Sequence, residues 1–400
     1  MTDEAASANE PLYLGAAAAI ITASILPTIT ITPILPKMQA YFTGVPQVDL
    51  LAQLIYALPA LLSMLAAPYA GYIGDRFGRR EIVIVSCVCA TILGVAPYFL
   101  DSIWLIIASR ALLGVFQGTL IVCTSALIAD YFIKRKRERV LSLKFGVVGI
   151  ANIALLIAVG YISINNWRNG FLLYLFGVLA TLLVILYIKT PPHARLAARQ
   201  EKIPLPWRRL FAPYLGAFLG SASFTMLFSQ LPFLLQIRGI SSSPAFAGNL
   251  TSVTSVGMLI AAFSYATLIR RISAMTLWSM SFGLVTLGFA ALSLSPQLAG
   301  IIAGGFLSGL GTGTVMPNSL NMVLGRVPAA ARGRATGVQT TCFFLGVFAG
   351  PMLGVVLSRA LGAPSPALGA WGIVAACTCM VYLILSRREA GQSAANASSV

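Results

Sequence analysis

The chain has 400 residues, of which 58% are hydrophobic and only 10% charged, and its mean hydropathy is +0.86. A soluble domain carries about a quarter charged residues, so this composition excludes a soluble globular protein, a disordered chain and a disulfide scaffold. A net charge of +16 would suit a nucleic-acid partner, but such proteins gather their bases on polar surfaces, whereas these bases stand between long apolar runs.

A helix that crosses a bilayer needs about 20 mostly apolar residues. Twelve such runs are read along the chain: 12–36, 50–71, 82–100, 103–129, 141–163, 168–188, 213–235, 246–269, 274–294, 298–325, 336–358 and 366–386. Barrel strands would be about 10 residues long and would alternate in polarity; these runs are longer and continuously apolar, so helices are predicted. The first run follows an acidic segment (Asp3, Glu4, Glu10) and is interrupted by Pro27, Pro33 and Pro36. It therefore reads as a retained helix and not as a cleaved signal peptide.

Bases concentrate in the cytoplasmic loops of membrane proteins. With the N-terminus inside, the even-numbered connections and the tail hold 21 of the 27 bases, the outer connections hold Lys37, Arg168, Arg238 and Arg359, and Arg110 and Lys144 fall within spans. This asymmetry predicts that both termini are cytoplasmic, and it accounts for the basic charge without nucleic acid. The six cysteines all fall in spans; Cys87 with Cys89 and Cys377 with Cys379 are two residues apart and so point to different helix faces. No metal site and no cofactor are expected.

The polar stretch 189–212, with four prolines, six bases and the only histidine, His193, divides six spans from six. The expected organisation is an N-terminal six-helix bundle over 1–188, a cytoplasmic linker over 189–212, a C-terminal six-helix bundle over 213–388 and a tail over 389–400, as two repeated bundles would give.

The strongest local motif is Gly71-Tyr-Ile-Gly-Asp-Arg-Phe-Gly-Arg-Arg80, between spans two and three. Gly71 and Gly74 would let helices approach closely, Gly78 would permit a tight turn, and Asp75 among Arg76, Arg79 and Arg80 suits a charge-paired latch. The segment resembles the G-x-x-x-D-R-x-G-R-[RK] loop of the major facilitator superfamily. The resemblance runs over residues 12–386, and it includes Arg110 followed by Gln117-Gly118 in span four, Asp130 and Arg139 flanking the inner end of that span, Trp167-Arg168 at the start of span six, and Arg332-Gly333-Arg334-Ala335 before span eleven. It implies an all-α membrane fold of twelve transmembrane helices in two six-helix bundles, with Gly71, Asp75, Arg76, Gly78, Arg79, Asp130 and Arg139 controlling conformational change. Two departures stand out. The place of a second such loop, between spans eight and nine, reads Ser264-Tyr-Ala-Thr-Leu-Ile-Arg-Arg271 and has no acid. The antiporter run G-x-x-x-G-P-x-x-G is missing from span five and stands in span eleven as Gly346-Val-Phe-Ala-Gly-Pro-Met-Leu-Gly354.

Ionisable residues inside a membrane are functional hypotheses. Arg110 reads either as a forked donor for an anion or carbonyl or as a structural arginine bonded to helix carbonyls. Lys144, near the inner end of span five, reads as a side chain that snorkels to the interface, with a role in the cavity as the alternative. Acids are scarce: none lies between 202 and 388, and in the first bundle Asp49 and Asp130 only border spans. Neutral, amphipathic or anionic substrates are favoured over organic cations, and if protons couple, Asp49 or Asp130 is the candidate carrier. In the resembled family, spans one, four, seven and ten line a central cavity. That gives Thr28, Thr32, Arg110, Gln117, Phe224, Phe228, Gln230, Thr312 and Asn318 as substrate-binding candidates, with Tyr56, Asn152, Gln339 and Phe343 beside them. Pro27, Pro33, Pro232 and Pro317 are expected to break these helices.

The functional expectation is a secondary active transporter in a bacterial inner membrane. It would move a small organic molecule by alternating access, as two bundles rocking around a midplane site would. Its partners would be the substrate, the bilayer and a proton as coupling ion, and the chain would act as a monomer. Resemblance to drug-efflux members implies export, and the alternative is import or facilitated passage of an organic anion or metabolite. A membrane enzyme lacks the clustered His, Asp, Glu or Cys it would need; a sensor that transports nothing is the remaining alternative.

Overall fold

The computed structural model describes residues 10–132, 134–188, 205–328 and 331–397; the side chains of residues 10–12, 75, 134, 135, 138 and 389–397 lie outside that set. His193 and the linker prolines therefore lie outside the described residues.

Twelve helical segments are long and apolar enough to cross a membrane, from Tyr13–Tyr41 through Val48–Gly74, Arg79–Tyr98, Ile103–Tyr131, Arg139–Ile162 and Trp167–Tyr187 to Trp207–Ile237, Pro244–Leu268, Ala274–Leu294, Leu298–Gly325, Arg332–Leu361 and Pro364–Arg388. They are numbered as spans one to twelve. The fold is all-α, as the apolar runs predict. Two compact units are formed, one by Met1–Arg199 with Ser243–Gly248 and the other by Gln200–Ser242 with Asn249–Val400.

In the first unit, span one is not a continuous helix. It runs as an α-helix over Glu10–Ala23, passes through two single 3-10 turns at Leu26–Thr28 and Thr32–Ile34, and resumes at Leu35–Tyr41. Pro27, Pro33 and Pro36 each sit at the start of one of these pieces, where the missing proline N–H costs nothing. Between the turns Ile29 is extended, with ψ 114°. The carbonyls this frees find donors: Asn152 donates to the Thr28 carbonyl at 3.2 Å, and the Tyr174 hydroxyl donates to the Ile29 carbonyl at 3.0 Å. Span six opens with nine residues of 3-10 helix, Trp167–Leu175.

Spans two and four pack face to face through glycine. A Cβ on Gly114 would strike the Pro59 carbonyl, and one on Gly118 would strike the Ser63 carbonyl; the Ser63 hydroxyl donates to the Gly114 carbonyl at 2.7 Å. Pro59 and Pro68 lie inside span two without interrupting it.

In the second unit, spans seven and eleven form a major contact. The Gly346–Gly354 run is one side of it: added Cβ atoms would meet Ser221 and Phe218 at Gly346, Ala222 at Gly350 and Gln230 at Gly354. Spans eight and ten pack on Gly305, Gly309 and Gly313, which face Thr254 and Met258. Span ten breaks at Thr314, between helices Leu298–Gly313 and Val315–Gly325, three residues before Pro317. The expected break at Pro232 is absent: span seven is one helix over Trp207–Ile237. Proline forfeits one backbone hydrogen bond, and in a helix buried along most of its length close packing from neighbours holds the axis.

Candidate functional site

Between the helices of spans two and three, Gly78 makes the join with φ +95°, and a side chain there would also collide with Glu81. Its left-handed conformation suits glycine. Of the motif's other two glycines only Gly74 is in close contact, against the Cys123 sulfur; Gly71 faces open space, which corrects the packing role expected for it. Arg79 Nη1 reaches both carboxylate oxygens of Asp130 at 2.6 Å, so the acid at the end of span four closes on the loop's arginine. Arg139 is exposed. Arg76 lies over the Phe77 ring at 5.3 Å, and Arg80 donates to the Ile185 and Ile188 carbonyls at the end of span six. Asp75 lies in the span-two helix, and its side chain is outside the described set. Asp49 lies in the first turn of span two's helix.

Deeper in this unit, Arg110 is 1% exposed. Its Nη2 donates to the Gly94 carbonyl at 2.8 Å and the Leu93 carbonyl at 3.3 Å, and Nη1 donates to the Tyr174 hydroxyl at 3.3 Å. The rings of Phe171 and Tyr174 lie 4.9 and 5.1 Å from its guanidinium carbon. Leu93 and Gly94 end the helix of span three, where carbonyls lack helical partners and a cation is stabilised. A relay therefore runs from the end of span three through Arg110 and Tyr174 to the unwound part of span one. Arg110 Nε is buried without a partner.

The other candidates of this unit sort by their hydrogen bonds. The Thr28 hydroxyl donates back to the Ile25 carbonyl at 2.7 Å. Thr32 is fully buried with its hydroxyl unpartnered. Tyr56 places its hydroxyl beside Thr30, and Gln117 is buried on span four. One residue, Gln53, was not among the candidates, and another, Lys144, was expected at the interface. Gln53, three residues before Tyr56 and so on the same helix face, is buried with an unpartnered Oε1. Lys144 does not snorkel: it is 7% exposed and donates to the hydroxyls of Thr124 at 3.1 Å and Ser125 at 3.0 Å.

In the second unit, Phe224 and Phe228 stack at 4.2 Å between ring centroids, tilted by 48°. Gln230 rests on Gly354 with its Nε2 unpartnered. Thr312 donates back to the Ser308 carbonyl at 2.9 Å. Asn318 donates to the Ala274 carbonyl at 3.0 Å and leaves Oδ1 unpartnered. Gln339 is fully buried, donates weakly to the Met316 sulfur at 3.3 Å, and leaves Oε1 unpartnered. These amides are neutral donors and acceptors in apolar surroundings, the kind of polar group that orients a small organic ligand. Among the described residues no group of three or more His, Cys, Asp or Glu is placed to hold a metal ion.

Comparison with known proteins bears on the family and the fold. The profile of the Major Facilitator Superfamily matches residues 12–243 and 213–399. The 3-(3-hydroxy-phenyl)propionate transporter of Escherichia coli (strain K12) is 27% identical over 82% of this chain and 83% of its own. The multi-drug resistance efflux pump PmrA of Streptococcus pneumoniae serotype 4 is 27% identical over 80% of this chain and 82% of its own. Among solved structures, a bacterial homolog of the human lysosomal transporter Spinster superposes with a TM-score of 0.72 at 16% identity, covering 95% of this chain and 97% of that one. A D-xylose–proton symporter superposes with a TM-score of 0.72 at 15% identity, covering 92% and 97%. The chain belongs to the Major Facilitator Superfamily, as a multi-pass membrane transporter of twelve spans.

Proposed function

We propose that this transporter is a secondary active exporter of small neutral, amphipathic or anionic organic compounds, working by alternating access. The observation that carries the substrate class is the distribution of charge. The second unit's spans contain no carboxylate, Asp130 is held by Arg79, and the charges buried within described spans, Arg110 and Lys144, are cations. An organic cation would need a buried acid to offset its desolvation; a neutral or anionic molecule does not. The similarity to PmrA favours export.

A second reading is import of an organic acid. It is favoured by the similarity to the 3-(3-hydroxy-phenyl)propionate transporter and by the same buried cations. Of the two readings of Arg110 we favour the structural one, because its guanidinium is enclosed and its Nη groups already have protein acceptors. The basic inner connections support cytoplasmic termini in a bacterial inner membrane, and we take the working unit to be the monomer. With no free acid deep in the described spans, proton coupling falls to Asp49 or Asp130 or to the substrate's own proton.

Direction is tested in oriented membrane vesicles with an imposed pH gradient. An exporter accumulates substrate in inside-out vesicles that are acidic inside. Accumulation only when the lumen is alkaline, as proton symport gives, replaces export with import, and no movement under either gradient overturns the coupling.

A further inference from the structure

Lys144 is the buried charge that the relay around Arg110 does not involve. It stands five residues into span five from Arg139, about 7–8 Å along the helix axis, within reach of the interface for a long flexible side chain. It turns instead toward span four. The Thr124 hydroxyl donates its own proton to the Leu120 carbonyl at 2.6 Å, and the Ser125 hydroxyl donates its proton to the Ile121 carbonyl at 2.8 Å. Both oxygens therefore face Nζ as acceptors, and the lysine is the donor in both contacts. An ammonium has three N–H groups, and only these two acceptors are present among the described residues. Asp130, on the same span as Thr124 and Ser125, has both oxygens engaged by Arg79.

A lysine held by two neutral hydroxyls is an incomplete charge site. Hydroxyls orient the ammonium without neutralising it, and a buried charge is stable when paired. Thr124 is fully buried whereas Ser125 is exposed, so a ligand would approach the pair from the Ser125 side. We propose that Lys144, held by Thr124 and Ser125, is an anion subsite that receives the carboxylate of an organic-acid substrate. This rests on the proposed reading as a carrier of neutral and anionic compounds, and it narrows that class to molecules with an apolar body and one oxyanionic end. The carboxylate accepts the third N–H and supplies the missing counter-charge, and its apolar remainder needs no further charged partner. Lys144 is thus a specificity-determining residue.

The test measures binding of hydrocinnamate, a carboxylate, and of hydrocinnamamide, its neutral amide, to the purified full-length protein. The wild type is expected to prefer the acid. Lys144→Met, close in shape and uncharged, is expected to weaken acid binding by roughly tenfold or more, as losing a buried charge partner does, and to leave the amide within about twofold. Lys144→Arg is expected to keep the preference. Thr124→Val, which leaves the lysine but removes one holder, is expected to lower acid affinity alone, and it serves as the test if Lys144→Met does not fold. Equal loss of acid and amide in Lys144→Met would make the lysine structural and overturn the proposal. Wild-type binding of the amide without any preference for the acid overturns the subsite while leaving the transporter reading intact. Binding of neither compound, together with no transport of either, overturns both.

Discussion

The relay from span three to span one can be weakened at a single oxygen. Tyr174→Phe keeps the ring against Arg110 but removes the hydroxyl. The Ile29 carbonyl then loses its 3.0 Å donor, and Arg110 Nη1 loses its 3.3 Å acceptor. A buried polar group left without its partner costs about 1–3 kcal/mol, more when charged, so the pair should cost roughly 2–4 kcal/mol. That cost falls on the unwound stretch of span one, whose remaining order comes from local turns such as Thr28 N–H to the Ile25 carbonyl and Ile34 N–H to the Ile31 carbonyl. Each 1.4 kcal/mol is a factor of ten in the opening equilibrium, so amide hydrogen exchange over residues 24–34 should quicken by about 30-fold or more. Exchange in the second unit should stay as in the wild type. Arg110→Met should act in the same direction and also loosen the end of span three. If Tyr174→Phe leaves exchange over 24–34 unchanged, or speeds it equally in both units, the relay does not hold span one.

Three further outcomes follow from the packing. Gly114→Ala and Gly118→Ala drive a Cβ into the backbone of span two and should each cost about 1–3 kcal/mol by overpacking, read as earlier thermal unfolding in detergent, while Gly71→Ala, which meets nothing, should be neutral or slightly stabilising. Arg79→Asp and Asp130→Arg should each destabilise, and the double exchange should recover at least about 1 kcal/mol in a double-mutant cycle; independent, additive effects would refute the pairing. Arg238→Gln removes donors to the Leu292, Ser293 and Ser295 carbonyls and to Ser365 and should raise exchange at the end of span nine and the start of span twelve, with their opposite ends unaffected.

Spans were legible because membrane crossing is dictated by long apolar runs: 274–294 and 298–325 reappear with the same bounds, 103–129 shares its start, and the remaining bounds shift by one to six residues. The broken course of span one was legible from its three prolines. Proline alone did not decide the matter elsewhere, since Pro59, Pro68, Pro213 and Pro232 lie in continuous helices. A break depends on whether other groups take up the freed carbonyls, and the donors that do so in span one, Asn152 and Tyr174, lie more than a hundred residues away. For the same reason the 3-10 start of span six carries no local signal. Partner choice was the least legible level. Sequence set Asp130 with Arg139 at the end of span four, and the fold brings Arg79 onto it. Lys144 had the position of a snorkelling residue; what turns it inward is a pair of hydroxyls on another span. The antiporter-like glycine run in span eleven was visible as a motif, but its contact with span seven required the fold.

Carriage of neutral and anionic organic compounds, and not of organic cations, is open to a direct measurement. It is tested most directly by transport into proteoliposomes of the purified chain, with pH gradients imposed in both directions, comparing hydrocinnamate, hydrocinnamamide and tetraphenylphosphonium. Gradient-dependent movement of the acid or its amide is expected, and none of the cation above protein-free liposomes. Accumulation of tetraphenylphosphonium above protein-free liposomes would contradict it, as would movement of neither the acid nor the amide.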